Sequence, residues 1–134
     1  MFDRIAVSII IPVYNAKSYI KNCLAILLKQ NFKEKFEIIM VDDASTDNSF
    51  EMIQSFKISN LKLIKLIKNS GQSVARNKGL EKAEGEYVYF MDVDDEIDKD
   101  SLKILYELAK ENNIDLIFSD FKRIVNNRNQ REYT

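Results

Sequence analysis

The stretch that decides the fold is AVSIII, residues 6–11, an almost unbroken apolar run that Pro12 closes. A β-branched run of this kind, without alternation of polar residues, is typical of a strand buried on both faces of a parallel sheet. Apolar residues then recur at helical spacing, namely Tyr19, Ile20, Cys23, Leu24, Leu27 and Leu28. The chain therefore opens with a buried strand followed by an amphipathic helix.

The same strand-helix unit repeats along the chain. Further strands are predicted at residues 36–41, 61–67, 87–91 and 114–118. Helices are predicted after each of the first four strands, the second carrying Phe50, Ile53 and Phe56 and the third spanning residues 72–83. The lysines of residues 61–67 suit a strand near the sheet edge. This alternation predicts the α/β class, with a mostly parallel sheet and helices on both faces.

Composition excludes several classes of protein. The chain has 134 residues, 46% hydrophobic and 31% charged, which is typical of one soluble domain. The net charge of -1 gives no global field that would attract nucleic acid. With no His and the single Cys23, disulfides, zinc sites of thiolate or imidazole and His-based triads are excluded, so any metal would be held by oxygen atoms. No apolar run approaches the roughly 20 residues of a membrane span.

The unusual residues follow the strands. In parallel sheets, ligands bind beyond the carboxyl ends of the strands, where the loops converge. Four such ends carry polar or turn-forming segments, at residues 12–15, 42–43, 69–71 and 92–95. Residues 12–17 contain no Gly, so neither a phosphate loop nor a dinucleotide fingerprint follows the first strand. We therefore expect one site assembled from four loops.

Four segments in these loops carry a family resemblance. The strings SIIIPVYN, EIIMVDDASTDNS, NSGQSVARNKGL and GEYVYFMDVDDEI stand in the order and spacing of family 2 glycosyltransferases. The chain resembles that family over about residues 5–120. The resemblance implies a Rossmann-like GT-A fold of the nucleotide-diphospho-sugar transferases. It also implies a nucleotide-sugar donor, with uridine as the expected nucleoside.

The first two segments are expected to hold the base. The resemblance places Pro12, Val13, Tyr14 and Asn15 against the base, and the flat ring of Tyr14 offers a stacking surface. An aromatic residue that only covers the end of the sheet is the alternative for Tyr14. Of the pair Asp42 and Asp43, we expect one to cap or brace the loop and the other to accept a hydrogen bond from the uracil imide. Helix capping alone is the competing explanation for both.

The third and fourth segments are expected to hold the diphosphate. Similar segments in relatives place Asn69, Gly71 and Arg76 along the nucleotide pocket, although a solvated helix-face arginine is the common alternative for Arg76. Alternate residues of an extended segment share a side, so Asp92 and Asp94 could face one point across Val93. Divalent cations favour such oxygen ligands, and we expect Mn²⁺ or Mg²⁺. The resemblance implies that Asp94 holds this metal and that Asp92 contacts the ribose or the metal shell.

The resemblance implies transfer of the sugar, with inversion as the usual outcome in the family, to a hydroxyl of a glycan or lipid-linked acceptor. Relatives supply the catalytic base from a later segment, and none of the carboxylates after Asp95 matches it. We therefore expect residues 1–121 to be the donor-binding part, residues 122–134 a polar tail or cut connection, and the chain a fragment. The alternative is a transferase-like module that binds a nucleotide or a partner without turnover.

Location and assembly are expected from the same observations. The residues favour a cytoplasmic protein, with peripheral attachment to the inner face of a membrane as an option. A cut domain would leave apolar surface exposed, so self-association is also an expectation.

Overall fold

The computed structural model describes residues 3–125 and 128–130. Its elements, in chain order, are β1 (Val7–Val13), α1 (Lys17–Leu28), β2 (Phe36–Asp42), α2 (Ser49–Ser55), β3 (Leu61–Lys65), α3 (Gln72–Lys82), β4 (Tyr87–Phe90), α4 (Ser101–Asn112), β5 (Arg123–Val125) and β6 (Arg128–Gln130). The strands β1 to β4 form a parallel sheet in the order β3-β2-β1-β4. The predicted α/β class is confirmed, and β3 lies at the sheet edge as its lysines indicated.

The central strand β1 is longer than predicted, because it continues through Pro12 to Val13. Proline has no N–H to donate, so it is rare inside a strand with two neighbours. At this position β1 has only one neighbour. Its pairing with β4 stops at Ile10 and Phe90, whereas its pairing with β2 runs on to Val13 and Asp42. Pro12 therefore lies where the missing N–H costs no ladder hydrogen bond.

Alternate residues of the sheet pack against helices on opposite faces. Ile9 and Ile11 belong to the larger core cluster, which includes buried residues of α1, α2 and α4. Ile10 packs on the other face with Ala75 of α3. All three isoleucines are fully buried, and each contributes roughly 1.5–3 kcal/mol by leaving water. Helix α3 approaches closely, since a Cβ at Gly79 would lie 2.5 Å from Ile10 Cγ2.

A buried carboxylate lies at the amino edge of the sheet. Glu37 of β2 accepts a hydrogen bond from the hydroxyl of Ser8 at 2.6 Å and one from the Glu84 N–H at 2.7 Å. Its second oxygen pairs with the ammonium of Lys62 at 2.7 Å. Burial alone would raise the pKa of Glu37, but the hydrogen bonds from Lys62, Ser8 and Glu84 outweigh it and lower that pKa. We call Glu37, Ser8, Lys62 and the Glu84 N–H the Glu37 cluster.

Two expectations about the strands are wrong. Residues 114–118 form no strand, because they pair with no neighbouring backbone; Leu116 and Phe118 are exposed there. The edge strand ends at Lys65 rather than at residue 67, and Ile67 points fully into solvent. Within the expected polar tail, the short strands β5 and β6 pair in antiparallel orientation. Residues 126–127 and 131–134 of that tail lie outside the described residues.

Two features of the described residues concern a membrane span and the single cysteine. None of the helices in this part of the chain is long and apolar enough to cross a membrane. Cys23 is a free, buried thiol on α1. Burial, with smaller contributions from Asp95 and Asp94, raises its pKa to about 12. This thiol is a core residue.

Candidate functional site

The four polar loops lie at one edge of the sheet, because β1 to β4 are parallel. Backbone hydrogen bonds join the strand ends: the Asp43 N–H donates to Val13 O, and the Leu66 N–H donates to Asp42 O, both at 2.8 Å. The Met91 N–H donates to Ile10 O at 3.1 Å. The loops therefore start from a rigid frame, as the sequence indicated.

The loops after β1 and β2 are hydrogen-bonded to each other. The Asn15 N–H donates to the hydroxyl of Ser45 at 3.0 Å, and the Thr46 N–H donates to Asn15 Oδ1 at 2.7 Å. Asn15 adopts a positive φ of 46°, a conformation that asparagine tolerates better than most residues. Its side-chain oxygen is therefore used to join two loops. This position lies in the segment that the sequence assigned to the base.

Two residues of the second loop also cap α1. The helix has no side-chain cap of its own, yet the Lys17 N–H donates to Asp47 Oδ2 at 3.1 Å. The Ala16 N–H donates to the hydroxyl of Ser49 at 3.2 Å, and that hydroxyl donates to Asp47 Oδ1. Desolvation opposes ionisation of Asp47, but the hydrogen bonds from Ser49 and the Lys17 N–H lower its pKa. We call residues 15–17 and 45–49 the loop bridge.

The two aspartates at the carboxyl end of β2 both brace loops. Asp42 is fully buried, and its Oδ2 accepts the Ser45 N–H at 3.2 Å. Asp43 is 4% exposed and accepts the N–H groups of Ser70 at 2.7 Å and Gly71 at 2.9 Å, one on each oxygen. Each carboxylate oxygen has a further lone pair, so Asp43 keeps acceptor capacity. Its first task in the structure is to hold the loop that precedes α3.

The remaining predicted contact residues differ in what they can offer a ligand. Tyr14 is 49% exposed, so its ring is available. Val13 and Pro12 are buried, which leaves only their backbone to the site. Asn69 is exposed beside Gly71, whose φ of 90° explains the glycine; no atom lies within 4 Å of a Cβ placed there.

The carboxylates after β4 converge on one point. Asp92, Asp94 and Asp95 each have an oxygen within 4.8 Å of the others. They converge through a turn, closed by the Asp95 N–H donating to Asp92 O at 3.1 Å, and not through an extended segment. The turn brings in Asp95, which the sequence reasoning left out of the metal site. We call these three residues the acid cluster.

One cation lies against the acid cluster. Arg76 Nη2 is 2.9 Å from Asp92 Oδ1 and also donates to Gln72 Oε1 at 3.3 Å. Burial, and then the charges of Asp92 and Asp94, raise the pKa of Asp95, so like-charge repulsion within the cluster is not fully relieved. Val93 packs into the core, which turns its two neighbours outward. The three carboxylates supply the oxygen ligands that Mg²⁺ and Mn²⁺ prefer, and the guanidinium of Arg76 lies beside them.

The sequence reasoning missed the loop bridge and Asp95. The signal for Asp47 and Ser49 was present as a cap-forming run before α2, but their side chains also accept the N–H groups at the start of α1. No local pattern reports which of two helix ends a side chain will reach. For Asp95 the signal was three acids in four positions, and the turn that gathers them was not inferred.

A parallel sheet with helices on both faces, with an exposed tyrosine ring and an acid cluster at its carboxyl edge, defines an α/β protein of the GT-A kind. The profile of the glycosyl transferase family 2 matches residues 8–134, and the chain belongs to that family.

Relatives agree with this assignment. The poly(ribitol-phosphate) β-N-acetylglucosaminyltransferase TarS of Staphylococcus aureus is 39% identical over 120 residues, which make up 87% of this chain and 21% of TarS. The crystal structure of S. aureus TarS in complex with UDP-GlcNAc superposes with a TM-score of 0.76 at 40% identity, covering 81% of this chain and 32% of that chain. This chain thus spans about a fifth of the length of the curated relative.

A second solved structure shares the fold. The mannosyltransferase PcManGT from Pyrobaculum calidifontis, in complex with GDP-Man and Mn²⁺, has a TM-score of 0.71 at 29% identity and is covered to 33%, against 79% of this chain. The GT-A fold predicted from the sequence is therefore confirmed.

Proposed function

We propose that this protein binds a UDP-sugar together with Mn²⁺ or Mg²⁺ and transfers the sugar to an acceptor hydroxyl. The observation that carries the proposal is the acid cluster, with Arg76 beside it, at the same sheet edge as the exposed ring of Tyr14. Asp92 and Asp94 are the proposed metal ligands, and Asp95 is the third carboxylate within reach. The arrangement offers one surface for a base and one for a charged diphosphate.

The loop bridge supports a metal-held diphosphate. In many nucleotide-binding folds the N–H groups at the start of the helix after β1 bind the phosphates. Here Asp47 and Ser49 already accept the N–H groups of Lys17 and Ala16. An anionic diphosphate would also meet the Asp47 carboxylate at that place. A cation at the acid cluster, with Arg76 beside it, would neutralise the diphosphate instead.

Local residues, and not the fold, are proposed to select the base. The two solved neighbours were obtained with UDP-GlcNAc and with GDP-Man, so proteins of this fold accept different nucleosides. In this chain Tyr14 would stack on the base, and the free lone pairs of Asp43 would accept the uracil imide proton. Asn69 and Gly71 would line the same pocket, in a loop whose Ser70 and Gly71 N–H groups are held by Asp43.

The proposed chemistry is group transfer with inversion. When bound, the divalent cation would neutralise the charge that develops on the leaving diphosphate. Arg76 is placed to share the anionic charge near Asp92. A glycan or lipid-linked hydroxyl is the proposed acceptor, in line with the polymer named for TarS. No carboxylate of the described residues is assigned as the base that deprotonates it.

Titration calorimetry with Mn²⁺ and with UDP in the presence of Mn²⁺ tests this proposal. Asp94→Ala should weaken both affinities by about 100-fold or more, because it removes an ionised ligand. Asp98→Ala is the matched control, since it removes one exposed carboxylate from the adjacent segment and should leave both affinities unchanged. A wild-type protein that releases no heat with UDP and Mn²⁺, or an Asp94→Ala variant that binds normally, would overturn the proposal.

A further inference from the structure

The loop bridge is more extensive than helix capping requires. Five hydrogen bonds run from the backbone and side chain of residues 15–17 to the side chains and backbone of residues 45–49. A single cap normally needs one side chain that accepts one or two N–H groups. The extra bonds fix the turn between β1 and α1, and this turn carries Tyr14.

Asp47 organises the bridge. Its Oδ1 accepts the Ser49 N–H at 3.0 Å and the hydroxyl proton of Ser49. The serine hydroxyl is then oriented with its lone pairs toward the Ala16 N–H. The other oxygen of Asp47, Oδ2, accepts the Lys17 N–H at 3.1 Å. One carboxylate therefore holds both N–H groups at the start of α1, directly and through Ser49.

Tyr14 stands between two fixed points. On its amino side, Val13 ends β1 and accepts the Asp43 N–H. On its carboxyl side, Asn15 is held in a left-handed conformation by Ser45 and Thr46. The left-handed Asn15 directly follows Tyr14, so its hydrogen bonds fix the backbone on the carboxyl side of the ring. If the bridge opens, Asn15 is free to relax to ordinary φ values and the ring turns with it.

We propose that Asp47 is a positioning residue for the nucleobase, acting through the loop bridge on the ring of Tyr14. The inference rests on the proposed function, since it specifies how the same site gains its affinity for the base. Asp47 does not touch the nucleotide. Its effect is confined to the base surface, because the acid cluster is carried by β4 and is tied to Arg76 of α3.

The test separates the two surfaces with two probes, UDP in the presence of Mn²⁺ and Mn²⁺ alone. Asp47→Ala weakens UDP binding about tenfold, the size expected for loss of a cap-like pair of hydrogen bonds, and leaves the affinity for Mn²⁺ unchanged. Asp47→Asn, which retains one acceptor oxygen, falls between this variant and wild type. Titrations are run at a temperature where circular dichroism shows each variant fully folded.

Asp100→Ala is the control for a purely structural loss. Asp100 also precedes a helix and accepts a side-chain hydrogen bond, from Asn31 Nδ2 at 2.9 Å. The helix it precedes is α4, and Asp100 is not part of the loop bridge. It should lower thermal stability without changing the affinity for UDP. Should Asp47→Ala not fold, Ser49→Ala takes its place, since it removes the hydroxyl that links Asp47 to the Ala16 N–H and leaves the contact of Asp47 with the Lys17 N–H.

The outcomes are distinct. Wild type that binds no UDP overturns the proposed function, and this inference falls with it. Wild type that binds UDP, together with Asp47→Ala or Ser49→Ala that binds it equally well, overturns the positioning role alone. Equal losses of UDP and Mn²⁺ affinity in Asp47→Ala also overturn it, because a general distortion of the site would then be responsible.

Discussion

One buried carboxylate and a cluster of three lie at opposite edges of the same sheet, and their hydrogen-bonding surroundings differ. At the amino edge, Glu37 is buried, and its oxygens accept from Ser8, the Glu84 N–H and Lys62. At the carboxyl edge, the acid cluster places three carboxylates together with Arg76 on one of them. The pKa of Glu37 is lowered, whereas that of Asp95 is raised.

The difference distinguishes an acid that stabilises the fold from acids kept for a ligand. A carboxylate with three donors is stabilised in its ionised form by the folded protein. Carboxylates that repel each other cost the fold stability, and a cation repays this cost when it binds. The number of donors around each carboxylate, together with the opposite directions of the pKa shifts of Glu37 and Asp95, therefore separates the two sites where composition does not.

Substitution at the amino edge should give the largest change in stability. Glu37→Ala leaves the buried hydroxyl of Ser8 without its acceptor and removes the buried one of the two carboxylates that pair with Lys62, the other being the exposed Glu84. Breaking such a pair costs about 2 kcal/mol here, at the low end for buried pairs because the Lys62 side chain is 39% exposed. Urea unfolding measures the loss. Binding of Mn²⁺ to the folded variant should match wild type, and a weaker binding would contradict the separation of the two edges.

The fall in the free energy of unfolding at acid pH should depend on Glu37 as well, with a smaller effect. Because the folded pKa of Glu37 lies below its usual value of 4.5, its contribution is present above that pH. The contribution is lost as the pH falls through the lowered folded pKa. Glu37→Gln keeps an acceptor for Ser8 and loses the ion pair, so its stability should fall less steeply between pH 5 and pH 3. Parallel curves for the variant and wild type would contradict this assignment.

Much of the fold was predictable because it depends on local pattern. Residues 6–11 are apolar without alternation, and they form the strand with neighbours on both sides. The polar segments after the strands predicted the edge at which the site lies, since parallel strands end together. The fragment and domain expectations remain predictions.

What the sequence did not predict depends on long-range contacts. Residues 114–118 have a strand-like composition, but a strand exists only when another backbone pairs with it. Asp47 carries the signature of a cap for the next helix, and it reaches the start of the preceding helix as well. Asp42 and Asp43 were expected to divide bracing and base reading, and both brace loops in the structure. The contact with uracil stays a proposal for Asp43.

The smallest expected effect has the opposite sign and lies at the carboxyl edge. Asp95→Asn removes one of three like charges while the turn keeps its hydrogen bond from the residue 95 N–H to Asp92 O. The side chain is exposed, so the relief of repulsion is screened and the gain in stability is about 0.5 kcal/mol without metal. Added Mn²⁺ should stabilise wild type more than the variant, because binding to the folded state raises stability in proportion to affinity. Urea unfolding with and without Mn²⁺ gives both quantities. A variant less stable than wild type in the absence of metal would mean that Asp95, like Glu37, is an acid that supports the fold.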